Sequence, residues 1–343
     1  MPGAAGTSGD IKAGHGTLSI GYRNVYANQY FLNPHVFTQL NNEERPTRLW
    51  NTVDLTGTYQ LTKRVNLQAT VPLQWNQATF LVPFTDGPLA ESFRQRLSTA
   101  GVGDIVLMER TWLFDPDNVK RGNVLLGLGL KLPTGNYRGG NTWTGGAAGV
   151  WNNKPAPLTI LIGDGGVDVL AEILAYRIVK WPVRKTNVFA VGSYLISPRG
   201  TTGIPSQNLL LGPPISTSPF TQNSLVNTVP DVYSLRAGMI VPSPFKENKY
   251  LRPLSGLIAY RWDGSPQRDF IGNSNGFRQP GFFMAVELGL FYQYKRHLLQ
   301  ASSPISFLRY ASFNSGGEKP GSPAPRTTAF SPASLNLRYT YFF

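Results

Sequence analysis

Three histidines and no cysteine bound the chemistry open to this 343-residue sequence. A cysteine count of 0 excludes thiolate nucleophiles, thiolate metal sites and a disulfide framework. Without a thiol, nucleophilic hydrolysis calls on a histidine near the reacting bond, as general base or beside a serine. His15 stands in the N-terminal stretch, His35 in a long connection and His297 in a short turn, and none shares a strand face with a carboxylate. A metal site needs several clustered donors, and the sequence shows no such cluster. Gly139-Gly140 and Gly163 to Gly166 lack the following helix and the Lys-Ser or Lys-Thr of a phosphate-binding loop. The expectation is a protein that is no enzyme and holds no cofactor.

What remains is charge and its placement. Lys and Arg number 32 and Asp and Glu 19, a net charge of +13. Charged residues make up only 15% of the chain, against about 25% in ordinary soluble domains. The chain is also rich in aromatics, Gly and Pro, a profile of strands and turns rather than helices.

The elements that place these charges alternate with a period of two. Val65, Leu67, Ala69, Val71, Leu73 and Trp75 share one face; Asn66, Gln68, Thr70, Pro72 and Gln74 share the other. Val53 to Leu61 repeats the pattern, and only Thr62-Lys63-Arg64 separates the two runs, so they form a hairpin. Leu335 to Phe343 alternates in the same way. Such runs are about twice the average globular strand of 5–6 residues. Twelve strands are expected near 16–25, 50–61, 65–76, 103–114, 123–132, 167–177, 187–196, 232–241, 254–263, 281–294, 298–309 and 333–343. A further pair in 30–40 and 155–163 gives a fourteen-stranded alternative. Residues 103–114 put Glu109 on the apolar face, and 187–196 lack a clean polar face.

Short connections at 62–64, 115–122, 178–186, 242–253 and 295–297 alternate with long ones at 26–49, 77–102, 133–166, 197–231, 264–280 and 310–332. A closed antiparallel transmembrane β-barrel of the bacterial outer membrane predicts this alternation, with short periplasmic turns and long outer loops. Closure is required because unpaired strand edges in lipid cost several kcal/mol per group. The most apolar stretch, Leu161 to Val179, contains Asp164, Asp168, Glu172 and Arg177, which excludes a membrane helix. Residues 1–15 are expected as an N-terminal periplasmic segment and 16–343 as one barrel domain. Met1-Pro-Gly-Ala-Ala-Gly6 has no apolar core of a signal peptide, which fits either a chain that stays inside or a mature chain with an added Met.

With the apolar faces toward lipid, the polar faces carry the candidate functional residues inward: Arg23, Asp54, Gln68, Asp104, Arg110, Lys131, Asp168, Glu172, Arg236, Arg261, Asp263, Glu287 and Arg338. Charged lumen residues tune selectivity or pair and fill the lumen. Asp168 and Glu172 on one strand, against Arg236 and Arg261 on two others, suggest a transverse field. Tyr59, Trp75, Tyr260, Trp262, Tyr292 and Tyr339 point outward as interface girdles; Trp112 and Phe291 are expected as lumen filling or as stacking sites.

The short turns gather a basic rim: Lys63, Arg64, Lys120, Arg121, Lys180, Arg184, Lys185, Lys246, Lys249, Arg252, Lys295 and Arg296, against only Asp115, Asp117 and Glu247. That rim suits anionic phospholipid headgroups, at ~1 kcal/mol per residue, or an acidic periplasmic protein. Nucleic acid is not an expected partner, since no reading helix or basic groove exists. The terminal Tyr339, Tyr341 and Phe343 are expected to serve as an assembly signal.

Two segments carry a family likeness. Gly101-Val-Gly-Asp104 leads into a strand, a turn, and then Gly127-Leu-Gly-Leu-Lys-Leu-Pro-Thr-Gly135; Leu61-Thr-Lys-Arg-Val-Asn-Leu-Gln-Ala-Thr-Val-Pro72 precedes them. These resemble a family of bacterial outer-membrane barrels named for the meta-cleavage pathway of phenol degradation. The resemblance implies a transporter of small, often aromatic or hydrophobic, compounds, and no catalytic residues. The expected function is therefore an outer-membrane channel or transporter for a small-molecule solute. The alternative is a docking barrel that holds a periplasmic partner, and a third reading is a soluble periplasmic β protein whose apolar faces pack together.

Overall fold

The computed structural model describes residues 13–36, 46–83, 92–119, 121–145, 149–183, 185–206, 209, 217, 222–245, 247–312 and 327–343. Alternating sequence folds here into long antiparallel strands because each can turn one face to lipid and one inward. The barrel strands are β1 (Gly16–Ala27), β2 (Thr47–Gln60), β3 (Val65–Pro83), β4 (Ile105–Trp112), β5 (Gly122–Leu132) and β6 (Asp168–Val179). They continue with β7 (Thr186–Ile196), β8 (Val232–Pro242), β9 (Leu254–Ser265), β10 (Gly281–Tyr294), β11 (His297–Ala311) and β12 (Ser334–Phe342). Each pairs with its sequence neighbour, and β12 pairs with β1 from Thr17↔Phe342 to Val25↔Ser334, which closes a ring of twelve. The backbone thus leaves no barrel edge unpaired, the condition for crossing lipid.

The outward positions do not pack on one another. Leu18, Leu128 and Ile173 are each more than half exposed. A soluble sandwich would bury such residues, so the soluble alternative fails and the exposed band is a lipid face. Tyr22 and Trp75 stack on that face, 6.2 Å between ring centroids, and the Tyr22 hydroxyl donates to Asn51 at 2.8 Å, an aromatic with a polar handle as membrane interfaces favour.

Three expectations need correction. The fourteen-stranded alternative does not form: Gln29–Leu32 and His35–Val36 join Thr327–Phe330 in a separate three-stranded sheet, and 155–163 holds a single helical turn, Leu158–Ile160. The stretch 77–102 is more than a loop. β3 pairs with β4 along Val65–Thr70 and with a further strand, Ser92–Val102, along Leu73–Pro83, so a two-stranded arm extends the barrel wall. His297 is not in the turn; it opens β11 opposite Tyr341. Lys120, Arg184 and Lys246 lie outside the described residues, as do residues 1–12 of the N-terminal segment.

Candidate functional site

The inward positions form three layers of chemistry. At the waist, ion pairs run between side chains of neighbouring or next-neighbouring strands and, once, within a strand. Arg23 on β1 grips Asp54 on β2 through two hydrogen bonds, 2.9 and 3.2 Å. Arg110 on β4 reaches over β5 to Glu172 on β6, again with two bonds, 2.8 and 3.2 Å, and also donates to Gln68. Gly127 lies beneath: a Cβ there would stand 3.1 Å from Glu172 and 3.4 Å from Arg110. Arg236 on β8 pairs with Glu287 on β10 at 2.7 Å, and Ser302 donates to the same carboxylate at 2.6 Å. Arg261 pairs with Asp263 two residues along β9. Bidentate pairs of this kind are strong and geometrically specific. The transverse field is thereby cancelled locally, because each acidic and basic group named for it has an opposite charge beside it.

Toward the outer mouth, the two motif segments meet. Lys131 is ion-paired with Asp104, Asp164 and Asp168. Asp104 accepts from the backbone of Gly135 at 2.9 Å and of Asp164 at 3.3 Å. The Thr134 hydroxyl donates to the Gly103 carbonyl at 2.8 Å and accepts from the Ile105 amide at 2.9 Å. Gly135 and Gly163 touch backbone to backbone: a Cβ on Gly135 would fall 2.3 Å from the Ile162 carbonyl oxygen. The Gly-Val-Gly-Asp and Lys-Leu-Pro-Thr-Gly segments are thus two halves of a latch that ties the following loop to the wall.

That loop turns inward. The turn Leu158–Ile160 hangs from inward-facing residues of β2 and β3: the Trp50 indole donates to the Thr159 carbonyl at 2.6 Å, Arg48 donates to the Thr159 hydroxyl at 2.9 Å, and Asn76 donates to the Ile160 carbonyl at 3.4 Å. Ile160 packs with Ala78, Leu97 and Ala156. A second layer of loops is organised by Asp231, which accepts from the Tyr194 hydroxyl at 2.9 Å and the amides of Ser197 and Phe270 at 2.8 and 2.7 Å. Arg278 and Asp269, both fully buried, pair beside it. Arg199 joins the two layers, donating to the Asp164 carbonyl at 3.1 Å and lying over the Tyr137 ring. Hydrogen bonding from Arg199 and the charge of Arg138 hold the Tyr137 phenol below its usual pKa.

Toward the periplasmic end, one interior wall is apolar. Trp112, Leu125, Leu174, Phe189, Val191, Leu257 and Ala259 form a buried cluster, with Tyr176, Ile240 and Phe291 against it. Trp112 and Phe291 therefore sit in one apolar assembly. Glu109 faces outward with Leu107 and accepts only a 3.3 Å bond from Thr111.

At the rim, Lys63 pairs with Asp117 at 2.5 Å and Arg64 donates to the carbonyls of Trp112 and Leu113. Lys249 and Lys295 lie over the rings of Tyr250 and Tyr294, while the backbone carbonyl of Arg121 accepts from Ile178. Near the C-terminus, Tyr339 contacts His297 at 2.7 Å and Tyr341 lies against the same ring; Phe343 exchanges backbone bonds with Gly16. His15 contacts the Phe343 carbonyl and His35 sits in the small outer sheet.

The closed ring, its apolar outer face and the ion pairs held inside it define an outer-membrane β-barrel. No family model and no curated protein matches the chain in sequence. A crystal structure of an outer membrane channel from Pseudomonas putida F1 aligns with 100% of this chain and 99% of that one, with a TM-score of 0.62 at 14% identity. A FadL homologue of Pseudomonas aeruginosa aligns over 98% and 92% with a TM-score of 0.39 at 8% identity. The CymD monoaromatic hydrocarbon channel aligns over 98% and 90% with a TM-score of 0.40 at 9% identity. At these identities the likeness is one of fold.

Proposed function

We propose that the protein passes a small hydrophobic or aromatic compound across the bacterial outer membrane, in the manner implied by the resemblance to phenol-degradation barrels. The carrying observation is the interior apolar cluster around Trp112, Phe189 and Phe291. A barrel that only conducts water and ions has no use for so large an apolar cluster on the inner side of its wall. A solute that must leave water, by contrast, finds aromatic surface at the partly buried edge of the cluster, Tyr176 and Phe291, of the kind ligand sites typically offer. The shared fold with a Pseudomonas putida outer membrane channel along the whole chain supports a channel role.

The test is uptake of radiolabelled phenol by cells whose outer membrane carries the barrel. Uptake several-fold above that of cells without it is expected, and Trp112→Ala should remove most of the gain at equal folded yield. Equal uptake with and without the barrel would refute the reading.

The docking alternative is less favoured. Lys63 and Arg64 are engaged by the neighbouring hairpin, and Lys249 and Lys295 by aromatic rings of their own, which suits a rim that lies against headgroups.

A further inference from the structure

The waist leaves one cation over. Arg23, Arg110, Arg236 and Arg338 come from β1, β4, β8 and β12, and the charges of the first three act on Arg338. Asp54, Glu172 and Glu287 each hold one of those three. Among the described residues no carboxylate forms an ion pair with Arg338; Asp54 acts on it from further away and is already gripped twice by Arg23.

The space around Arg338 is kept open. Its guanidinium lies over Gly21, where a Cβ would stand 3.5 Å from Nε. A cavity of ≈ 60 Å³ adjoins it, lined by Asn336, Gln300, Ser302 and Phe291 and by the Arg23–Asp54 and Arg236–Glu287 pairs, whose charges cancel and leave Arg338 as the surplus. One water needs roughly 10–15 Å³ on this measure, so the cavity takes a group of several heavy atoms. The Asn336 side-chain nitrogen is a buried donor without an acceptor. A surplus guanidinium, and beside it a residue with an unused amide donor, both lining one cavity, ask for an acceptor of negative charge. The planar fork of an arginine fits a carboxylate better than a spherical ion. Phe291 lines this cavity and also packs on the apolar cluster, so a carboxylate held here would lay its body on an aromatic surface.

We infer that the barrel waist binds an aromatic monocarboxylate, its head on Arg338 and Asn336 and its ring toward Phe291. The inference rests on the proposed passage of aromatic compounds for the ligand's body, and on the waist alone for its charge.

Isothermal titration of the full chain in detergent with sodium benzoate, benzyl alcohol and sodium chloride tests it. Benzoate should bind at least tenfold more tightly than benzyl alcohol. Arg338→Gln should weaken benzoate at least tenfold and Arg338→Lys by less, with benzyl alcohol unchanged in both. Asn336→Ala should weaken benzoate several-fold, and it decides the matter if Arg338→Gln does not fold, as judged by heat-modifiable gel mobility. Three results each overturn the inference: no benzoate binding, equal benzoate binding by the folded variants, or displacement of benzoate by equimolar chloride. If benzoate fails while phenol uptake persists, only this inference falls; if phenol uptake fails as well, the transport reading falls with it.

Discussion

The two sides of the lumen solve the same problem by different chemistry. Along β12, β1, β2 and β3 the inward residues below the waist include small polar side chains that satisfy one another across strands: Ser19 with Thr340 at 2.9 Å, Thr56 with Thr70 at 3.1 Å. On the opposite side, from β4 to β9, the inward residues below the waist are Trp112, Leu125, Leu174, Phe189, Val191 and Leu257. Lipid fixes the outer face of both sides alike. The inner face is the only one free to vary, so the apolar wall is a departure that lipid does not demand.

The contrast can be tested by breaking each part. The largest effect is expected at the bridge over Gly127. Arg110→Ala leaves Glu172 buried and unpaired, a loss of about 3–5 kcal/mol, whereas Arg110→Met combined with Glu172→Leu should recover most of it. Equal urea midpoints for the single and double variants would show that the charge pair is not what matters there. Next, Leu174→Ala in the apolar wall should cost about 2–5 kcal/mol, but Thr56→Val in the polar wall only about 1 kcal/mol. If both lower the urea midpoint equally, the two walls do not differ in how they are held. At the latch, Asp104→Asn should cost about 1–3 kcal/mol and raise single-channel conductance by freeing the loop that carries Leu158–Ile160; an unchanged conductance separates latch from channel. The smallest effect belongs to the rim. Lys249→Gln with Arg252→Gln and Lys295→Gln should leave barrel stability unmoved and release no co-purifying protein. A partner lost at constant yield would favour the docking alternative instead.

Much of the barrel was legible because lipid imposes a strict alternation on each strand. The exceptions are physical. Residues 187–196 showed no polar face because β7 is apolar on both sides: Val188 faces outward, while Phe189 and Val191 face the interior cluster. The arm formed by Leu73–Pro83 and Ser92–Val102 was hidden because polar residues such as Gln77 and Ser98 recur along it, a pattern that reads as loop. Residues 155–163 read as one of an extra pair of strands because the spacing of Leu158, Ile160 and Ile162 does not distinguish a strand from a turn inserted into the lumen. The partners of Arg110 and Lys131 were beyond reach, since they depend on which inward residues share a height around the ring. Asp231, Asp269 and Arg278 gave no signal at all in two irregular loops of mixed polarity.

The seam between β1 and β12 has a consequence for how the molecule comes into being. Its nine-residue ladder joins the barrel's first strand to its last, the most distant contact the sheet contains. Until that ladder forms, β1 and β12 both present bare edges. Assembly must therefore hold an open, edge-exposed sheet until the end, a slow process by contact order and an aggregation hazard in water. A single proline at Leu337 or Tyr339 would strike at that last joining step while leaving eleven strands chemically intact.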